Sequence, residues 1–333
     1  IELKPDYEWA IAHRGVTYRY AGRYEEALAD LNRAVELDPQ NDWNFAERGV
    51  VYRFMERYEE AVADFNRAVE LDPRDERNFA ERGVVFRFME RYEEAVADLG
   101  RAIELKPGYE WAIAHRGVIY GFMGQYEESL ADLDRAVEID SQDGWNFAQR
   151  GAIHQLMGQH DEALADLNRA IELKPDYEWA IALRGVTYRH VGRREEALAD
   201  LDRAIELNPQ DGWNFYQKGL VLHLAEDPDC GLNFDRAVEF FASDAVGLGP
   251  RAVNGKGNLF IVYCAMSRWD DAGRQLIDFL NSSPSKEELK EVLADLEDLA
   301  CVIPSVSEAT SESQDQLQGA LSRRTQCVPD RRG

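Results

Sequence analysis

A glycine recurs every 34 residues along this chain, at Gly15, Gly49, Gly83, Gly117, Gly151, Gly185 and Gly219. A period of that length marks one supersecondary unit stacked many times, so dividing a 333-residue chain into conventional globular domains does not apply. Other positions keep step. Small residues stand at Ala27, Ala61, Ala95, Ser129, Ala163 and Ala197, and again at Ala34, Ala68, Ala102, Ala136, Ala170 and Ala204. Prolines follow at Pro5, Pro39, Pro73, Pro107, Pro175 and Pro209, with Ser141 in place of the fifth member of that series. Taking Glu8 as position 1 puts Gly15 at position 8, and this numbering is used for every repeat.

Within a repeat the pattern predicts two helices. Positions 4, 7, 8 and 11 share one face of a 3.6-residue helix and read Ile11, Arg14, Gly15 and Tyr18, then Phe45, Arg48, Gly49 and Tyr52. Glycine there costs about 1 kcal/mol of helix propensity, so its recurrence implies a close helix crossing that a Cβ would obstruct. Ala27, Leu31 and Ala34 supply the complementary stripe of the second helix, while Glu25, Glu26 and Glu36 face water. Gly22, Gly124, Gly158 and Gly192 suit a left-handed turn between the helices, with Glu56 and Glu90 at the same place in two repeats. The prolines stop each second helix, and Asp6, Asn41, Asp75, Asp143 and Asp211 are expected to cap the next first helix.

With these small residues, this period and a proline near the end of each unit, the sequence resembles the tetratricopeptide repeat family over about residues 1 to 281. The resemblance implies an all-α, right-handed α–α superhelix. Residues 1–245 are read as seven repeats, 246–303 as a divergent eighth pair with a capping helix, and 304–333 as a disordered tail rich in Ser, Gln, Arg and Thr. Ser285 is expected to start the final helix, whose stripe of Leu289, Val292, Leu293, Leu296 and Leu299 would cover the terminal repeat as a lid. Residues 1–5, IELKP, duplicate residues 171–175 and are expected to be the end of an upstream repeat, leaving an uncapped edge through which the chain could self-associate. Residues 1–34 and 171–204 differ at five places, which suggests duplication in blocks.

Little chemistry is on offer. The formal net charge of −25 repels phosphate backbones and anionic lipid, so neither nucleic acid nor membrane is expected as a partner. No apolar run approaches the roughly 20 residues of a spanning helix. Cys230, Cys264, Cys301 and Cys327 show no Cys-x-x-Cys spacing, which fits a reducing cytoplasm. The six histidines form no HExxH and no zinc-ligand cluster, and neither a phosphate loop nor GxSxG occurs. No enzyme activity, cofactor or metal is expected.

Two polar and aromatic series stand out instead. Arginines at position 7 (Arg14, Arg48, Arg82, Arg116, Arg150 and Arg184) accompany aspartates at position 23 (Asp30, Asp64, Asp98, Asp132, Asp166 and Asp200), and both types disappear from the seventh and eighth repeats together. This predicts an ion-pair ladder within repeats; the alternative is an arginine whose stem packs while its head reaches solvent. On the opposite face of the first helices, position 2 is Trp9, Trp43, Trp111, Trp145, Trp179 and Trp213, position 12 carries Arg19, Arg53, Arg87 and Arg189, and position 13 carries Tyr20, Phe54, Phe88 and Phe122.

In the family this face lines a concave groove that binds partner segments, so the resemblance implies an apolar floor with a basic border for a peptide or protein ligand. Packing between repeats is the other reading of the tryptophans. The Lys and Asn clamp with which some family members hold a terminal carboxylate is absent, since positions 2, 5, 6 and 9 read Trp9, Ala12, His13 and Val16, then Trp43, Ala46, Glu47 and Val50. The function implied is a non-enzymatic protein-interaction scaffold; the alternative is a regulatory or spacer arm of a larger signalling protein whose N-terminal effector region is missing.

Overall fold

A computed structural model describes residues 6–247 and 250–326. The IELKP segment, Leu248, Gly249 and everything from Cys327 onward lie outside the described residues. The chain forms two compact units, 1–153 and 154–333, and the division falls inside one helix.

In the N-terminal unit, paired antiparallel helices follow one another: α1 (Glu8–Tyr20) with α2 (Tyr24–Leu37), α3 (Asp42–Phe54) with α4 (Tyr58–Leu71), α5 (Glu76–Phe88) with α6 (Tyr92–Leu105), and α7 (Glu110–Phe122) with α8 (Tyr126–Ile139). Helix α9 (Gly144–Leu156) carries the division. In the C-terminal unit come α10 (His160–Leu173), the pair α11 (Glu178–His190) and α12 (Arg194–Leu207), the pair α13 (Gly212–His223) and α14 (Cys230–Asp244), and the pair α15 (Pro250–Ala265) and α16 (Trp269–Asn281). Three more helices follow, α17 (Lys286–Val302), α18 (Ser305–Ala309) and α19 (Ser311–Gln326).

The repeat glycines sit where the two helices of a pair cross. A Cβ on Gly83 would lie 2.9 Å from Leu99 Cγ and 3.1 Å from the Ala95 carbonyl oxygen; on Gly219 it would meet the Phe234 ring at 2.6 Å. Gly15, Gly49, Gly117 and Gly185 face Leu31, Phe65, Leu133 and Leu201 in the same way, and Gly151 is buried in α9. Gly83→Ala should therefore cost about 1–3 kcal/mol by overpacking although alanine favours helix by about 1 kcal/mol. Denaturant titration followed by circular dichroism checks this, and a more stable variant would show that the crossing has room to relax.

Turns and caps divide by repeat type. Gly22 adopts φ +71°, and Glu56 and Glu90 hold the same left-handed turn at φ 58° and 55°. Asn41, Asp75, Asp143 and Asp211 accept hydrogen bonds from the backbone N–H of Trp43, Arg77, Trp145 and Trp213. Asp6 does not cap. Tyr7 occupies that place without a side-chain bond, and Asp6 instead pairs with Arg33 at 2.9 Å.

First helices that begin in YEWAIA, at 7–12, 109–114 and 177–182, are complementary to those that carry WNFA, at 43–46, 145–148 and 213–216. Buried Asn44, Asn146 and Asn214 at position 3 each donate from Nδ2 to a position-1 glutamate of the preceding repeat, Glu8, Glu110 and Glu178, at 2.6 Å. Where position 3 is Ala112, the preceding Glu76 turns to Lys106 at 3.0 Å.

The C-terminal end departs from the expected lid. Ser285 and Glu288 form a reciprocal capping box, after which α17 packs on α19 and, among the repeat helices, on α15, a first helix, rather than on α16, the last second helix. A lid continuing the stack would do the reverse. The segment after Pro304, expected to be disordered, is helical through Gln326 but for a turn at Thr310: Val306, Thr310 and Leu317 are buried, with Ala320 and Leu321 packed against the same core as Val306 and Leu317. Helix α19 lies against α17 and α16.

Candidate functional site

The position-7 arginines point into the helix pairs. Arg14, Arg48, Arg82, Arg116 and Arg184 each make a bidentate pair through Nε and Nη2 with the position-23 aspartate of the same repeat, at 2.6 to 2.8 Å. Arg150 and Asp166 belong to different units. The remaining Nη1 reaches position 25 of the preceding repeat: Arg48 donates to Asn32, Arg82 to Asn66, Arg150 to Asp134 and Arg184 to Asn168, at 2.7 to 2.9 Å. The position-25 partner was not foreseen. It also explains Lys218, which has no aspartate of its own to meet but reaches Asp202 of the repeat before at 2.5 Å. Burial pushes the Asp64 carboxyl up against the opposing pull of Arg48, while the same pairing raises Arg48 against its own burial.

The position-12 arginines do not form a free basic border. Arg19 pairs with Glu47 at 3.0 Å and Arg53 with Glu81 at 3.3 Å, each acid being position 6 of the following repeat. Both guanidinium stems lie over the neighbouring ring, Arg19 over Tyr20 and Arg53 over Phe54. Burial pushes Glu81 up, against the charges of Arg53 and Arg77. Arg189 is buried and pairs with Asp298 of α17 at 2.7 Å. Arg87 is half-buried, lies over the Phe88 ring at 4.3 Å, and has no carboxylate within ion-pair distance among the described residues. Burial lowers its pKa.

The apolar floor lies deeper than expected. Ala12, Ala80, Ala114, Val50, Val84 and Val118 at positions 5 and 9 are buried. What reaches water is aromatic: Phe54, Phe88 and Phe122 are 43–46% exposed, Tyr20 and Trp9 more so. Each phenylalanine stacks nearly parallel on a tyrosine of the preceding repeat, Tyr24–Phe54 and Tyr58–Phe88 at 5.6 Å and Tyr92–Phe122 at 6.0 Å.

Trp43, Trp111 and Trp145 are half-buried in a second ladder. His13 lies between Trp9 and Trp43, and His115 between Trp111 and Trp145. Burial, aided by the charges of Arg87 and Arg53, pushes His115 down to about 3, so it is neutral at physiological pH. The tryptophans thus pack between repeats while keeping an edge outward.

In the C-terminal unit the equivalent face is covered by the chain itself. Tyr216 and Leu220 at positions 5 and 9, and Ile261 and Cys264 of α15, share one buried cluster with Leu289, Val292, Leu296 and Leu299 of α17. A Cβ on Gly257 would come within 2.7 Å of Val292. Asp298 accepts from Arg189 and contacts His190 Nε2 at 3.1 Å; although burial works the other way, these two partners hold its carboxyl below the usual range. Trp213 packs against the same cluster, and Trp179 remains 38% exposed beside Tyr177.

Among the described residues no three His, Cys, Asp or Glu side chains gather to hold a metal ion, and no helix is long and apolar enough to cross a membrane. A family model for the TPR repeat matches residues 15–53, and models for the tetratricopeptide repeat match 45–75, 77–109, 112–143, 147–177 and 180–211, together more than half of the chain. No curated protein matches the sequence.

Among solved structures, a tetratricopeptide repeat protein from Parabacteroides merdae is 18% identical, with a TM-score of 0.57 over 71% of this chain and 91% of that one. PilF of Pseudomonas aeruginosa is 18% identical, with a TM-score of 0.54 over 61% and 92%. YrrB, a TPR protein with an unusual peptide-binding site, is 27% identical over 54% and 92%, at a TM-score of 0.43. Members of this family are generally non-catalytic scaffolds. With six model matches along its repeats and helices paired antiparallel around crossing glycines, the chain belongs to the tetratricopeptide repeat family of all-α solenoids.

Proposed function

We propose that this chain is a protein-interaction scaffold that holds a peptide or protein segment along the first-helix face of its N-terminal unit. The observation that carries the reading is the row of exposed phenylalanines, Phe54, Phe88 and Phe122, each stiffened from behind by a stacked tyrosine. Rigid aromatic anchors lose little entropy on binding, which is why such residues dominate interface energetics. Trp9, Trp43, Trp111 and Trp145 extend the surface with their outward edges. The thiols of Cys230, Cys264 and Cys301 are free, in keeping with work in a reducing, cytoplasmic setting.

The test is affinity capture from the native lysate with the full chain, followed by calorimetric titration of the captured partner. Phe54→Ala with Phe88→Ala should weaken binding by about 2 kcal/mol or more, roughly 30-fold. Glu59→Ala with Glu93→Ala, at exposed positions on the second helices, should leave affinity unchanged. Equal affinity in the two double variants, with helicity intact, rules out this face as the principal site.

A further inference from the structure

The position-12 arginines follow a rule that one of them breaks. Where the next repeat carries an acid at position 6, the arginine takes it: Arg19 with Glu47, Arg53 with Glu81. Where the next repeat carries Gln217, the carboxylate comes from outside the repeats, and Asp298 of the amphipathic helix α17 reaches Arg189. Arg87 is the remaining member, and the next repeat offers it His115, not an acid. His115 is kept neutral, and its buried Nδ1 has no hydrogen-bond partner among the described residues.

We propose that Arg87 takes the side-chain carboxylate of an amphipathic helix belonging to a partner protein, in the manner in which Arg189 takes Asp298 of α17. This rests on the first-helix face being the binding surface and names the chemistry it selects. The guanidinium is already half out of water and held over Phe88, so its desolvation cost is largely met before the ligand arrives, and a carboxylate recovers it in a charge-assisted bond. Phe88 and Phe122 flank the spot with exposed apolar surface for the helix's hydrophobic stripe, and Trp111 and Trp145 lie on either side of His115. The occupant is a second molecule because the chain's own Asp298 is engaged at Arg189. The net charge of −25 opposes the approach of any acidic ligand at long range, so specificity here comes from the single pairing rather than from steering.

A labelled peptide with the sequence of residues 285–303, carrying Cys301→Ser, is the probe, titrated into the full chain. Binding should fall at least tenfold in Arg87→Met and should not fall in Arg189→Met, where loss of the resident pair can only free a further site for the same peptide. A peptide carrying Asp298→Asn should lose the same factor against the wild-type chain and nothing further against Arg87→Met. Helicity and thermal midpoint of Arg87→Met should be preserved or raised, because an unpaired, half-buried cation has been removed.

Equal binding to wild type and Arg87→Met overturns the proposal. So does dependence on Arg189 instead, which would mean that the peptide only exchanges with the resident α17, and so does an absence of binding. Loss in Phe54→Ala with Phe88→Ala but not in Arg87→Met rejects the carboxylate site while leaving the aromatic surface standing; indifference to all three substitutions rejects both.

Discussion

Replacing Asp64 by alanine is expected to destabilise the second repeat by about 3–5 kcal/mol, while Asp30→Ala should cost about 1 kcal/mol or less. The two aspartates hold the same position, and each receives a bidentate pair at 2.6 to 2.7 Å from a position-7 arginine. What differs is water. The side chain of Arg14 is 61% exposed, so when its partner is removed the solvent replaces it. Arg48 is only 18% exposed and would be left charged between packed helices, with Asn32 as its one remaining polar contact. Because the cost of desolvating both charges offsets most of their attraction, Arg48→Met with Asp64→Leu should recover most of the loss. Hydrogen exchange of α3 and α4 amides in the full chain reads the effect locally, as suits a repeat protein whose stability is a sum over neighbours. Equal losses in Asp30→Ala and Asp64→Ala would show that exposure does not set the cost.

The helix pairs were legible because the information is local and repeated. Gly15 and its equivalents mark the crossing, Leu31 and its equivalents fill it, and Asn41 or Asp75 starts the next helix, all within a single 34-residue period. Contacts between consecutive repeats were harder to read. Arg19 and Glu47 stand 28 residues apart, and Asn44 and Glu8 stand 36 apart. Neither spacing is a helical one, and each becomes meaningful only once the stacking brings position 12 onto position 6, or position 3 onto position 1. The expected basic border failed for that reason: an arginine on the face opposite the glycines looks solvated until the acid of the next repeat is placed beside it.

Helix α17 shows the same limit at larger scale. Its stripe of Leu289, Val292, Leu296 and Leu299 announces a buried face, but where that face docks depends on Gly257 and Arg189, which lie in different repeats. In the segment after Pro304, Val306 and Leu317 were lost among polar residues because a helix that borrows its core from a neighbour needs few apolar side chains of its own.

The docking of α17 should respond to pH through Asp295. Burial, with the charges of Glu291 and Asp298 adding to it, raises its carboxyl pKa to about 8. In the unfolded chain it titrates near 3.9. Between these values the folded state holds a proton that the unfolded state has released, so this group's contribution falls as pH rises, by at most about 1.4 kcal/mol per pH unit, and levels off above pH 8. Asp298 acts in the opposite sense, since its depressed pKa gives stability that is present above the unfolded value and lost on acidification.

Asp295→Asn keeps the shape of the protonated acid and removes its titration. The variant and the wild type should therefore match near pH 4 and diverge toward pH 8, where the variant's α17 amides exchange more slowly and its thermal midpoint is higher. Asp298→Asn should show the reverse order at pH 8, because Arg189 is then left buried without its acid. If Asp295→Asn leaves α17 exchange unchanged at pH 8, then Asp295 is ionised and solvated in the folded protein, and the helix is held by its leucine stripe and the Arg189–Asp298 pair alone.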